Sequence, residues 1–161
     1  MPPVIRPAEP DDMPRLQEIV TEVWAIGSDW TLEEKYGSIG DRSWDRWLVP
    51  KIMARVWDEI GSTLVTERDG RLVGFIAYSL DRLRRVGTIH YNAVAVECQG
   101  EGIGTRQVEH VLALMREAGM EYATVGTGLN EGHAAARRMY EKAGFEPVIE
   151  YRMYAQRLAS S

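Results

Sequence analysis

Six consecutive residues, Gln99, Gly100, Glu101, Gly102, Ile103 and Gly104, carry the spacing best suited to chemistry in this chain. They follow an apolar, β-branched stretch over residues 89–96 and precede an amphipathic one, so they read as a strand running into a helix. The first N–H groups of a helix have no intrahelical acceptor, and glycine lets an anion approach them closely. The junction is therefore a candidate phosphate cradle, with Thr105 either a hydroxyl partner or a solvent-facing side chain of the first turn. No Gly-Lys-Ser/Thr follows, which excludes a Walker loop, and nothing places the run in a βαβ unit with an acidic ribose ligand.

Proton transfer has one candidate on residue type and position. His90, with a reference pKa of about 6.5, shares a strand face by period two with Asn92, Val94 and Val96. It is either a base, acting directly or through water, or a structural histidine. Tyr140 reads from residue type as an aromatic packed at the sheet edge. Cys98 is the only cysteine, and spacing gives it no activating partner, so a buried or turn thiol is expected. The three histidines are scattered without ligand spacing, and no metal centre is expected.

The elements that must position these groups follow from periodicity and punctuation. Residues 4–6 read as a first strand ended by Pro7. Asp11 or Asp12 can cap a helix whose stripe is Met13, Leu16, Ile19, Val20 and Val23. Residues 27–41 read as irregular, with a capping box at Thr31 to Glu34 for one short turn. A second helical region spans 43–60, with Trp47, Val56 and Ile60 on its buried side and Pro50 starting or kinking it. Strands over 63–67 and 72–80 flank the hairpin turn Asp69-Gly70. After the cradle, a helix over 103–118 buries Val108, Val111, Leu112 and Met115, and a strand spans 122–126. A last helix runs over 133–142 and stops at Gly144, and residues 148–158 can form one or two terminal strands. This order favours an α/β sandwich over a doubly wound sheet.

The 161 residues, 45% hydrophobic and 27% charged, suit a single domain spanning 1–161, with no linker or repeat. No apolar run reaches a membrane span, and residues 1–6 lack the apolar core of a secretion signal. A net charge of −5 argues against nonspecific nucleic-acid binding, and one cysteine suits a reducing cytoplasm.

Gln99, Gly102 and Gly104, as Gln-x-x-Gly-x-Gly, resemble the acyl-CoA motif of the GCN5-related N-acetyltransferase (GNAT) superfamily. The stretch from Ala136 to Phe145, containing Tyr-Glu-Lys-Ala-Gly-Phe, resembles that superfamily's late helix, and the two motifs stand in its order. The resemblance covers roughly residues 4–157. It implies a mixed sheet that splays open near Thr124 to Thr127, with acceptor-side helices at about 11–60 and a donor-binding and catalytic half at about 88–145. Acetyl-CoA is the implied co-substrate. Its pyrophosphate would meet backbone N–H groups of Gln99, Gly100, Glu101, Gly102, Ile103, Gly104 and Thr105, and its pantetheine arm the backbone of Val94 and Val96. Arg106, Arg137 and Arg138 are either phosphate contacts or solvated surface. Gly102 and Gly104 would serve close approach and tight helix entry.

The resemblance further implies direct attack by a primary amine within a ternary complex, with Tyr140 as the acid. A glutamate that some relatives carry near the start of the cradle strand is replaced here by Thr88, leaving His90 as the candidate base. The asparagine that many relatives place seven residues before the tyrosine falls on His133, while Asn130 stands ten before it, so either can take that role. Trp24, Asp29, Trp30 and Asn92 are candidate acceptor contacts, because aromatic walls with carboxylates suit a small ammonium compound. The expected partners are a small-molecule amine and a second copy of the chain, to which Tyr151, Met153 and Tyr154 could contribute. Acetylation of a peptide or protein N-terminus and a non-catalytic acyl-CoA-binding module are the alternatives.

Overall fold

The computed structural model describes residues 2–25 and 31–158. Five strands form one sheet in sequence order: β1 (Val4–Pro7), β2 (Thr63–Arg68), β3 (Arg71–Asp81), β4 (Val86–Val94) and β5 (Tyr122–Val125). The first three pairings are antiparallel, and β4 and β5 run parallel. Antiparallel neighbours need only short turns, and Asp69 and Gly70 supply the one between β2 and β3 with φ of 52° and 73°. The parallel pair requires a crossover, which is α4 (Ile103–Glu117).

Helices cover both faces, so the central strands are buried on both sides. Residues 72 to 77 of β3 are accordingly buried without interruption. One layer comprises α1 (Met13–Ala25) and α3 (Asp45–Asp58), which pack Leu16, Ile19, Val20, Val49, Ile52 and Val56 against Val65, Phe75, Ala77, Ala93 and Ala95. The opposite layer comprises α4 and α5 (Ala134–Lys142), which pack Val108, Val111, Met115 and Tyr140 against Leu64, Ile76 and Ile89. Alternation sends Leu64 and Val65, or Phe75 and Ile76, to opposite cores. Each fully buried aliphatic side chain in these clusters contributes about 1.5–3 kcal/mol.

The short turn expected at Thr31 is α2 (Thr31–Tyr36). Pro50 lies inside α3, and the buried side of that helix is Val49, Ile52 and Val56 rather than Trp47 and Ile60, which are half-buried. Asp12 belongs to a 3-10 turn before α1, where it closes a reciprocal cap with Glu9 and pairs with Arg6 at 2.8 Å.

The terminal strand expectation is corrected. Residues 146–158 are exposed and pair with no strand, and the sheet of the described residues ends on β5. A strand exists only where a neighbouring edge accepts its ladder. Tyr151 and Met153 alternate, but no described strand pairs with this segment, and Pro147 lacks an N–H donor. The segment instead meets α2, where Arg157 lies 5.6 Å over the Tyr36 ring and the Tyr36 hydroxyl donates to Ala155 O at 3.5 Å.

Candidate active site

The end of β4 is fixed by Ala95 N–H donating to Val73 O at 2.8 Å. A 3-10 turn at Val96–Cys98 then leads to Gln99 in extended conformation. Gly100 and Gly102 both adopt the left-handed region, at φ 79° and 80°, and Gly102 caps α4. An L side chain at Gly102 would strain this backbone although the space beside it is open. The first α4 bond joins Arg106 N to Gly102 O at 3.1 Å, so the N–H groups of Ile103, Gly104 and Thr105 have no intrahelical acceptor. The first turn contains no side-chain cap and no acidic residue, leaving the positive end of a 15-residue helix uncompensated from within. This backbone is chemically matched to a pyrophosphate.

Gly104 also has a packing role. A Cβ there would meet Met139 Sδ of α5 at 3.1 Å and Asn92 Oδ1 at 3.6 Å, so this glycine seats α4 against α5 and β4. Ile103 anchors the start of the helix among Val73, Val94 and Cys98. Two cradle side chains are already engaged: Gln99 Nε2 donates to Val94 O at 3.0 Å, and Glu101 pairs with Arg68. Arg68, at the end of β2, also donates to Cys98 Sγ at 3.0 Å and ties the sheet to the cradle.

The β4–β5 pairing runs from Val86↔Tyr122 to Ile89↔Val125 and stops, so the strands part where splaying was expected. Because Ala95 N–H points to β3, alternation turns the Val94 N–H and C=O toward the open side. Val96 lies beyond the strand, in the 3-10 turn, where its carbonyl accepts Gln99 N–H at 3.3 Å, so its expected place as a strand residue is corrected.

A β-bulge decides where His90 points. Tyr91 pairs with Ala77 and Ile89 with Tyr78, leaving His90 as the extra residue. The bulge breaks the period-two reading, so His90 and Asn92 do not share a face. His90 reaches Ser79 Oγ, 2.7 Å from Nε2, and Arg55 of α3, whose Nη2 lies 3.1 Å from Nε2 and 3.4 Å from Nδ1. Arg55 can only donate, so its approach to the ring disfavours the imidazolium form. Burial, followed by the charge of Arg55, lowers the His90 pKa below its ordinary value, against an opposing effect of Glu59. A cavity of ≈ 400 Å³ opens here, lined by Lys51, Ala54, Arg55, Asp58, His90 and Tyr91. A larger recess of ≈ 690 Å³ on the outer surface of α1 and α3 shares no lining residue with it.

Asn92 faces the other layer, where its Nδ2 donates to Gln107 Oε1 at 2.8 Å. Gln107 Nε2 in turn donates to Thr66 Oγ1 at 2.8 Å. This chain engages the half-buried Asn92 amide on the α4 side of the sheet, opposite the face that carries the His90 ring. Trp24 is half-buried and meets the Tyr91 ring edge-on at 5.9 Å, so it supports the cavity wall from behind. Asp29 and Trp30 lie outside the described residues.

Tyr140 is 8% exposed, and burial pushes its phenol up to about 12. It stacks edge-on with Phe145 at 5.8 Å, and among the described residues its hydroxyl has no hydrogen-bond partner. Asn130 and His133 are bonded to each other, side chain to ring Nδ1, just before α5. Arg137 Nη1 donates to Gly128 O at 2.6 Å and Asn130 O at 2.8 Å, so this end of the guanidinium braces the loop.

Sequence reasoning missed Arg55, Lys51, Ser79, Arg68 and Gln107. The i, i+4 spacing of Lys51 and Arg55 was visible, but only the sheet register brings Ser79 and α3 to His90. Among the described residues, no group of three or more His, Cys, Asp or Glu could hold a metal ion, and no helix is long and apolar enough to cross a membrane.

The acetyltransferase (GNAT) family model matches residues 21–145. An uncharacterized N-acetyltransferase of Archaeoglobus fulgidus is 29% identical over 141 residues, covering 84% of this chain and 88% of the relative. A mycothiol acetyltransferase of Sanguibacter keddieii is 37% identical over 99 residues, covering 58% of this chain and 30% of the relative. The fold matches a PaiA N-acetyltransferase of Thermoplasma acidophilum, solved with coenzyme A, at a TM-score of 0.71 and 17% identity, covering 91% of each chain. The uncapped α4 start, the parted strands and the family match converge: the chain belongs to the acetyltransferase (GNAT) family and is an acetyl-CoA-dependent N-acetyltransferase.

Proposed function

We propose that this enzyme acetylates a primary amine of a small molecule by direct attack, with both substrates bound together. The carrying observation is the position of His90. Its bulge sits at the first unpaired residue of β4 beyond the β4–β5 ladder, and its ring opens to a cavity on the α3 side. Donor cradle and acceptor cavity are thus separate regions joined by one short stretch of β4. That arrangement supports simultaneous occupancy.

Acetyl-CoA supplies the activated acetyl thioester. Its pyrophosphate would lie against the N–H groups of Ile103, Gly104 and Thr105, with Gln99, Gly100, Glu101 and Gly102 shaping the turn. The Val94 backbone would take its arm, and the Asn130–His133 pair stands at the α5 side. His90, neutral and held by Ser79, takes the first proton from the acceptor ammonium. Tyr140 retains its proton well above neutral pH and can give it to the departing sulfur as the N–C bond forms and the C–S bond breaks. The second amine proton, released as the amide forms, returns to the Tyr140 phenolate, so the net products are the amide, the free thiol and the proton held by His90. The enzyme would act as a homodimer in the cytoplasm, a reading supported by a sequence with one cysteine and by the exposed apolar side chains of residues 148–158.

Thiol release from acetyl-CoA with a panel of small amines tests the reading. Turnover with small amines, showing intersecting initial-rate patterns, is expected. Parallel patterns, or turnover confined to peptide N-termini, would overturn it.

A further inference from the structure

The wall of the His90 cavity is charged in a direction opposite to the protein as a whole. Lys51, Arg55 and Asp58 stand at i, i+4 and i+7 on α3 and so share one face. They place two cations and one anion around the cavity, in a chain of net charge −5. Lys51 has no ion pair among the described residues, and Arg55 has its carboxylate neighbour Glu59 only at 3.7 Å. That distance is longer than a charge-assisted hydrogen bond, and the guanidinium's other side-chain contact is the His90 ring. Most of its five N–H donors are therefore available to a ligand. An acceptor bearing only positive charge would meet Lys51 and Arg55 as like charges, which selects against it.

We infer that the acceptor is an amino acid or similar zwitterion: Lys51 and Arg55 bind its carboxylate, Asp58 faces its ammonium group, and His90 takes the amine proton. This deepens the proposed function and rests on the His90 cavity being the acceptor site. Asp58 and Lys51 lie about two helical turns apart, roughly 10 Å along α3, which suits a compact molecule carrying both charges.

Matched pairs of amino acids and their carboxamides, assayed by thiol release from acetyl-CoA, test it. The carboxylate member of a productive pair should have a KM about tenfold lower, equivalent to about 1.4 kcal/mol of discrimination. The ratio should fall toward one in Lys51→Gln and in Arg55→Gln, and Lys51→Arg should restore it. Equal KM values within the pairs, or a ratio that survives Lys51→Gln combined with Arg55→Gln, would overturn the inference. A second arm needs no turnover: N-acetyl amino acids titrated into the protein should shift the His90 ring resonances in NMR spectra, and the double variant should lose that shift. No thiol release from any amine, with the His90 shift present, would sink small-amine acetylation but leave carboxylate recognition standing. No shift with any N-acetyl amino acid would sink carboxylate recognition, whatever the turnover.

Discussion

Ser79 Oγ lies 2.7 Å from His90 Nε2, and the bulge in β4 is what brings them together from neighbouring strands. The ring is faced by Arg55, Glu59, Lys51 and Asp58 of α3, by Tyr91 of its own strand and by Ser79 of β3. Burial and Arg55 favour the neutral form. A base works when deprotonated, so the acidic limb of kcat/KM should lie below the ordinary histidine value of about 6.5. Arg55→Gln should move that limb upward, and His90→Gln should lower kcat/KM by about 10²–10⁴-fold. A limb unmoved by Arg55→Gln would remove His90 as the titrating base. The same shift affects folding: the unfolded ring takes a proton that the folded ring resists. This contribution to stability is therefore complete above about pH 6.5 and declines as pH falls through and below it.

Tyr140→Phe separates packing from acid chemistry. The phenyl ring keeps the contacts with Phe145 and Ile89, and the lost hydroxyl has no partner among the described residues. Thermal stability should be within about 0.5 kcal/mol of wild type, because a buried hydroxyl without a partner adds little. Turnover should fall about 10²–10⁴-fold while acetyl-CoA affinity, measured by calorimetry, is retained. Unchanged kcat would eliminate the acid role.

Gly102 and Gly104 should respond differently to alanine. Gly102→Ala forces an L side chain into a left-handed cap, at a cost of about 1–2 kcal/mol, and should raise the Kd for acetyl-CoA about tenfold. Gly104→Ala presses on Met139, a flexible neighbour, from an ordinary backbone conformation. It should destabilise less and leave donor affinity closer to wild type. Equal losses of affinity in calorimetry would mean that the φ of Gly102 is not what shapes the cradle.

Gln107 is fully buried and links Asn92 to Thr66. Gln107→Met keeps the volume but strands an amide and a hydroxyl, and should cost about 2–4 kcal/mol in urea unfolding. Adding Thr66→Val removes one stranded group and should recover about 1 kcal/mol. Strict additivity of the two losses would show that the pair does not act as a unit.

Local pattern determined much of this protein. The helix at 103–117, the strands flanking Asp69-Gly70, the cradle glycines and the Tyr140-to-Phe145 helix end were legible because each depends on residues near in sequence: apolar spacing, turn chemistry and unpaired N–H groups. The α1 stripe was read correctly for the same reason, with Leu16, Ile19 and Val20 fully buried. Tertiary structure decided the rest. Period two put His90 beside Asn92, but a one-residue bulge, set by pairing with β3, sent His90 toward Arg55 and left Asn92 facing Gln107. Residues 148–158 had strand propensity, yet a strand is a property of two edges, and here only one is present. Arg55, Lys51, Ser79 and Arg68 acquire their neighbours through contacts spanning ten or more positions in the chain, which no local spacing encodes.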